Sequence, residues 1–341
     1  MYSFNNDYSE GAHPKILEAM TRTNLVQNGG YGLDEHCTRA REIIRQETGS
    51  KDADVHFIVG GTQTNLITIA TALRPWQAVI CVAQGHINVH ETGAIEATGH
   101  KVLAMPGKEG KLTPDEIIQA FEYHTDEHMV QPKMVYISNS TEIGTQYSKA
   151  ELEALHRLCR EKELYLFLDG ARLGSALTST VNDLSVKDIA ALTDVFYIGG
   201  TKAGALFGEA LVITHPDLKP DFRFMMKQRG ALLAKGWLLG IQFEELFTDG
   251  LYYELASHAN DMADILREGI RNMGYTFFSP SFTNQLFPIF PESVINTLQK
   301  EFIFSIQEKE EDRSVIRLVT SWATRQEECE HFLSVLKTCS M

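Results

Sequence analysis

The chain has 341 residues, 43% hydrophobic and 22% charged, with a formal net charge of −14. It is long enough for one large and one smaller domain with a sizeable core. Its acidic balance argues against nucleic acid or an anionic membrane as partner, because both select a strongly cationic surface.

In chain order, the polar start MYSFNNDYSEGAHP predicts no signal peptide. No apolar run reaches membrane-spanning length. Short runs that are apolar on both faces predict strands over Val55–Val59, Val79–Ala83, Met134–Ser138, Tyr165–Leu168 and Val195–Ile198. Helical patterns over 65–73, 113–123 and 148–162 alternate with them. Thr113 with Glu116, and Ser148 with Glu151, have the spacing of capping boxes, and Pro114 suits a first helical turn. Alternating strands and helices predict an α/β fold with a mainly parallel central sheet. From about Leu211 the pattern changes to helices over 232–247 and 253–273. A hairpin of 302–307 with 315–321 follows, then a closing helix over 326–336. This end reads as a smaller α+β unit. Five cysteines, an odd number without CxxC spacing, predict a reduced, cytoplasmic protein.

Each predicted strand ends in a polar or glycine-rich cluster, and an open α/β sheet binds ligands beyond those ends. Lys202 follows Val195–Ile198 among small and apolar residues. It is either a surface lysine or a partly buried amine with a lowered pKa, suited to nucleophilic attack on a carbonyl. Asp169 ends Tyr165–Leu168 and is either a turn cap or an anion beneath a protonated ring nitrogen. It stands 33 positions before Lys202, one strand–helix–strand unit away. Gly61, Thr62 and Asn65 open a helix after a strand, as a tight turn or a phosphate cradle. GxGxxG and Walker A patterns are absent, which disfavours nicotinamide and ATP chemistry. His86 is either a loop histidine or a ring-stacking group. His86, His90 and Glu91 lack a third well-spaced metal ligand, so no metal is expected. Arg317, between Val315 and Val319 on one strand face, either snorkels at an edge or clamps a carboxylate. Arg172 and Arg229 are further anion-binding candidates, and Arg229 is equally compatible with a helix cap or ion pair.

Together these stretches resemble the threonine aldolase and β-eliminating lyase family, pyridoxal-phosphate (PLP) enzymes of the aspartate aminotransferase fold. The matching stretches are Asn6-Asp7-Tyr8-Ser9 with His13-Pro14, Tyr31-Gly32-Leu33-Asp34, Gly61-Thr62 with Asn65, His86 with Glu91 and Gly93, Leu168–Leu173 and Arg317–Thr324. The resemblance implies that Lys202 forms the Schiff base with PLP, Asp169 pairs with the pyridine nitrogen and His86 stacks on the ring. It places Gly61, Thr62 and Thr201 at the phosphate and Asn65 among the cofactor-binding residues. Ser9, Tyr31, Arg172 and Arg317 are placed at the substrate, with Arg172 also near the cofactor. His128 is implied as a second catalytic histidine, and Arg229 as a phosphate contact in a neighbouring subunit. The implied units are an N-terminal segment 1–15 that reaches the site, a large cofactor domain 16–245 and a small domain 246–341.

The implied reaction is retro-aldol cleavage of a small β-hydroxy-α-amino acid such as threonine to glycine and an aldehyde, in a homodimer or homotetramer with the site at the subunit interface. β-Elimination and amino transfer are alternatives on the same scaffold, and a catalytically silent binding protein of this fold is an alternative of another class. Two departures stand out. Thr201-Lys202-Ala203-Gly204-Ala205 replaces serine-lysine-glycine-leucine-glycine, and Ser321-Trp322-Ala323 replaces histidine-leucine-aspartate.

Overall fold

The structure is a computed structural model describing residues 1–339. Its strands, in chain order, are β1 (Tyr2–Ser3), β2 (Asp54–Ile58), β3 (Gln77–Val82), β4 (Lys101–Met105), β5 (Gln131–Ser138), β6 (Tyr165–Asp169), β7 (Val195–Gly199), β8 (Glu209–Ile213), β9 (Gln285–Leu286), β10 (Ile289–Pro291), β11 (Phe302–Ile303), β12 (Ser305–Lys309) and β13 (Arg313–Val319). The helices used below are α1 (Gly61–Ala72), α2 (His86–Val89), α3 (Pro114–Tyr123), α4 (Lys149–Glu161), α5 (Leu173–Leu177), α6 (Phe222–Gln228), α7 (Trp237–Phe247), α8 (Leu251–Asn272) and α9 (Gln326–Cys339).

Among the described residues the main sheet has seven strands, ordered β2-β8-β7-β6-β5-β3-β4. Neighbours from β7 through β4 pair in parallel, while β8 runs antiparallel to both β2 and β7. The fold is therefore the expected α/β architecture, a mainly parallel sheet between helices with a smaller sheet towards the C-terminus. The two-residue period of the strands divides the core into two layers. Val135, Ile137, Leu166, Leu168, Phe196 and Ile198 pack on one face. Met134, Tyr136, Phe167, Val195 and Tyr197 pack on the other.

The capping boxes at Thr113–Glu116 and Ser148–Glu151 form as their spacing predicts. Three expectations shift. The first helix starts at Gly61, not Asn65, because Gly60 takes the cap position without a side-chain bond. Helix α7 starts at Trp237, not Leu232, because the segment before it wraps the turn at 31–32, where the Tyr31 N–H donates to the Ala234 carbonyl. The hairpin is β12 with β13, displaced because Phe302 and Ile303 pair with β1 instead. Strands β4 and β8 are additions to the sequence reading. Ala210–Ile213 is wholly buried, yet no local pattern says that it inserts between β2 and β7.

Strand β1 holds the N-terminus on the smaller unit, where Phe4 is fully buried against Phe302 and Phe332. That anchor delivers Asp7 to the carboxyl edge of the main sheet. Among the described residues, no helix is long and apolar enough to cross a membrane.

Candidate active site

Asp169 is the last residue of β6 and stands beside Ser138, the last residue of β5. The Gly199 N–H at the end of β7 donates to the Gly170 carbonyl at 3.0 Å, drawing the ends of β6 and β7 together. Gly170 is required by this approach, since a Cβ there would lie 1.9 Å from the Tyr197 carbonyl oxygen. Lys202 follows in the turn after β7, so the two candidates separated by a strand–helix–strand unit share one edge.

The Lys202 amine, among the described residues, makes no hydrogen bond or ion pair. It lines a small cavity with Asp7 and Arg172. Burial first, and then the Arg172 guanidinium, lower its pKa against the opposing pull of Asp7, Asp169 and Glu209. A buried amine with a lowered pKa carries the free lone pair that attack on an aldehyde needs.

Asp169 is buried and well bonded. Its Oδ1 accepts the Ala171 N–H at 2.9 Å, and its Oδ2 accepts from the Tyr136 hydroxyl and from Asn65 Nδ2 at 3.3 Å. Burial and then Asp169 itself push the Tyr136 and Tyr197 phenols well above the usual range, so both remain proton donors. Asn65 Nδ2 also donates to Glu91 Oε1 at 2.7 Å, and the His86 Nδ1–H donates to the same oxygen at 2.7 Å. Since the carboxylate can only accept, this bond places the proton of a neutral His86 on Nδ1 and leaves Nε2 as acceptor. Burial lowers the His86 pKa, but the Glu91 bond and the charges of Asp169 and Glu91 outweigh it, and the net shift is upward.

Helix α1 opens with Gly61, Thr62 and Gln63, whose N–H groups precede the first helical acceptor pair, Thr64 to Gly60 at 3.0 Å. A Cβ at Gly61 would lie 3.1 Å from the Tyr197 hydroxyl. The Gln63 side chain donates to the Arg229 carbonyl at 3.0 Å, bringing that loop over the helix start. Thr201 accepts the Gly208 N–H at 3.0 Å and donates to Glu209 Oε1, also at 3.0 Å. Burial pushes the Glu209 carboxyl upward against the opposing charge of Lys202.

Arg172 and Arg317 differ in a way that the sequence does not reveal. Arg172 donates to Asp7 from Nε at 2.7 Å and from Nη2 at 3.1 Å, so two corners of its fork are taken. Arg317 meets only the neutral amide oxygen of Gln285, from Nη2 at 2.7 Å and from Nε at 3.2 Å. Burial, and then Arg172, lower its pKa to about 10. Arg317 is thus a cation held without a carboxylate partner.

Ser9 is exposed and donates to Asn6 Oδ1 at 3.0 Å. Tyr31 is exposed beneath the Lys227 ammonium. His128 is not brought to this edge. Its side chain is 83% exposed beside Asp126. It precedes β5, whose eight residues put it about 25 Å from the carboxyl edge at the usual rise per residue. Within one chain, then, the expected second catalytic histidine lies at the wrong end of the sheet. Sequence reading did not single out Tyr136, Tyr197, Gln285 or Glu209. Period-two spacing from Ser138 and Gly199 was the available signal for the two tyrosines.

A buried amine without a partner, a buried carboxylate flanked by donors, and a glycine-opened helix start at one sheet edge fit PLP on the chemistry of the side chains alone. Fold and site define a PLP-dependent enzyme of the aminotransferase architecture. The Beta-eliminating lyase family model matches residues 6–292, and the chain belongs to that family. It is 33% identical to the low specificity L-threonine aldolase of Pseudomonas aeruginosa over 304 residues, 87% of this chain and 86% of that protein. The Leishmania major threonine aldolase structure is 56% identical, covers 100% of both chains and superposes with a TM-score of 0.99. A Thermus thermophilus aspartate aminotransferase mutant, 18% identical, shares the fold with a TM-score of 0.74 over 99% of this chain and 91% of that one.

Proposed function

We propose that this protein is a PLP-dependent aldehyde-lyase that cleaves threonine-type β-hydroxy-α-amino acids to glycine and an aldehyde. The observation that carries this reading is the unpaired amine of Lys202 at one sheet edge with the hydrogen-bonded carboxylate of Asp169. Lys202 carries the cofactor through its aldehyde carbon, and Asp169 keeps the pyridine nitrogen protonated. When bound, PLP accepts the electron pair of the bond broken at Cα. Asn65 and Tyr136 hold Asp169 in place. The first amides of α1, at Gly61 and Thr62, together with Thr201, hold the phosphate.

The resemblance places His86 over the ring, and the Glu91 bond that fixes its tautomer fits a set ring orientation. Arg317 takes the substrate carboxylate, because its fork is bonded only to a neutral amide, with Arg172 behind it and Ser9 at the rim. That anchoring would fix the orientation of the substrate and so select which bond at Cα breaks. Exposed Tyr31, Leu33 and Leu25 support a homodimer or homotetramer in which Tyr31 and Arg229 serve a neighbouring copy. Five free cysteines, four of them buried, fit a cytoplasmic location.

The test is product analysis of the PLP-loaded protein with threonine. Glycine plus acetaldehyde is expected, while a 2-oxo acid plus ammonia would replace aldol cleavage by elimination. Borohydride should trap a cofactor adduct that Lys202→Ala cannot form, and an adduct that survives the substitution would reassign the nucleophile.

A further inference from the structure

Glu142 lies in the loop after β5, beside the site but with no part in the reading above. One of its oxygens is fully engaged. Oε1 accepts the Ser138 hydroxyl at 2.8 Å and the His86 N–H at 3.0 Å. The other oxygen, Oε2, is buried and has no hydrogen-bond partner. A buried acceptor left unsatisfied is costly, so such an oxygen, held beside His86 and Ser138, invites a donor from the ligand.

Its surroundings identify the ligand group. Gln285, which holds Arg317, also reaches the Thr141 carbonyl at 3.5 Å, so the substrate-anchoring arginine and the Glu142 loop are tied together. The charges of Arg317, Arg172, Asp169 and His86 all interact with that of Glu142. The Glu142 charge also acts on Tyr136, Tyr147 and Cys81. Glu142 therefore adjoins the cofactor residues through Ser138 and His86, and the Arg317 anchor through Thr141 and Gln285. The histidines are poorer candidates. His128 is remote, and the open acceptor of His86, Nε2, belongs to the ring that the resemblance stacks on the cofactor, with its pKa raised towards the protonated form. Glu91 is already committed to positioning, since its Oε1 accepts both His86 Nδ1–H and Asn65 Nδ2.

Resting on the aldolase reading, we infer that Glu142 is the catalytic base for the substrate β-hydroxyl, with Oε2 taking its proton. The O–H bond breaks to Oε2, its electron pair becomes the second bond of the aldehyde carbonyl, and the Cα–Cβ bond breaks with its pair left on Cα. A proton returned to Cα completes glycine, so the net reaction moves one hydrogen from oxygen to carbon with no oxidant or reductant. Burial first, and Asp169 after it, raise the Glu142 pKa against the Ser138 bond. Since the base must be ionised, cleavage falls as pH drops through that raised value.

The experiment compares holoenzyme with Glu142→Gln and Glu142→Asp. Glycine has no β-hydroxyl, so its affinity, read by titrating the cofactor absorbance, should stay within about threefold, while kcat for threonine falls about 100-fold or more. The acidic limb of the kcat profile should vanish in Glu142→Gln and return in Glu142→Asp. Threonine turnover within about threefold of the parent in Glu142→Gln overturns the proposal on the same scale. So does a parallel loss of glycine affinity, which would make Glu142 only a support for the His86 loop. If the parent binds glycine but never cleaves threonine, the aldolase reading itself fails, and this inference with it.

Discussion

At the scale of single residues, the site depends on which polar groups are already satisfied. Asp169 is held from both oxygens and Arg172 is answered by Asp7, while Lys202, Arg317 and one oxygen of Glu142 stay open to a ligand. His86 shows how a neighbour overrules burial. Removing its partner with Glu91→Gln should let desolvation win and move the imidazole titration to lower pH, observed by NMR of the histidine ring protons. The sign for stability follows. The imidazolium bonded to Glu91 stabilises the fold at low pH, and that contribution disappears as pH rises through the raised His86 pKa. The stability gap between parent and Glu91→Gln should therefore narrow with increasing pH. A gap that widens would mean that the ring is bound neutral.

At the scale of elements, function sits where strands stop. Period-two alternation puts Tyr136, Phe167, Asp169 and Tyr197 on one face, so two strands reach the carboxylate that a third one presents. The close joining of β6 and β7 depends on Gly170. Gly170→Ala forces a methyl group into the Tyr197 carbonyl, which backbone cannot yield without parting the two strands. The expected loss is about 1–3 kcal/mol by analogy with overpacked cores, measured by denaturant unfolding, together with weaker PLP retention on dialysis. Unchanged stability and retention would show that the turn relaxes freely.

At the scale of the whole molecule, the smaller unit and the main sheet meet through the first residues of the chain. β1 pairs with β11, Phe4 fills the C-terminal core, and Asp7 then crosses to Arg172 and Asn284. Phe4→Ala should cost about 3–5 kcal/mol as a buried large-to-small change. Because Asp7 then loses its anchor, KM for threonine should rise more than kcat falls. Equal KM in the two proteins would show that Asp7 is placed without β1.

The sequence by itself determined the layered α/β fold, because runs apolar on both faces, interleaved with capped amphipathic helices, have few other ways to bury themselves. It also marked Lys202, Asp169, Gly61 and Arg317, since a chemically distinctive residue at a strand end is a local signal. Only the tertiary structure decided the rest. Strand β8 enters the sheet against the direction of its neighbours, β1 takes residues that local pattern assigns to a hairpin, and His128 falls at the far edge of β5. Which arginine is free depends on Asp7, 165 positions from Arg172, and which oxygen of Glu142 is engaged depends in part on His86, 56 positions before it. Such pairings are settled by packing and desolvation, and no short window of sequence contains both halves of them.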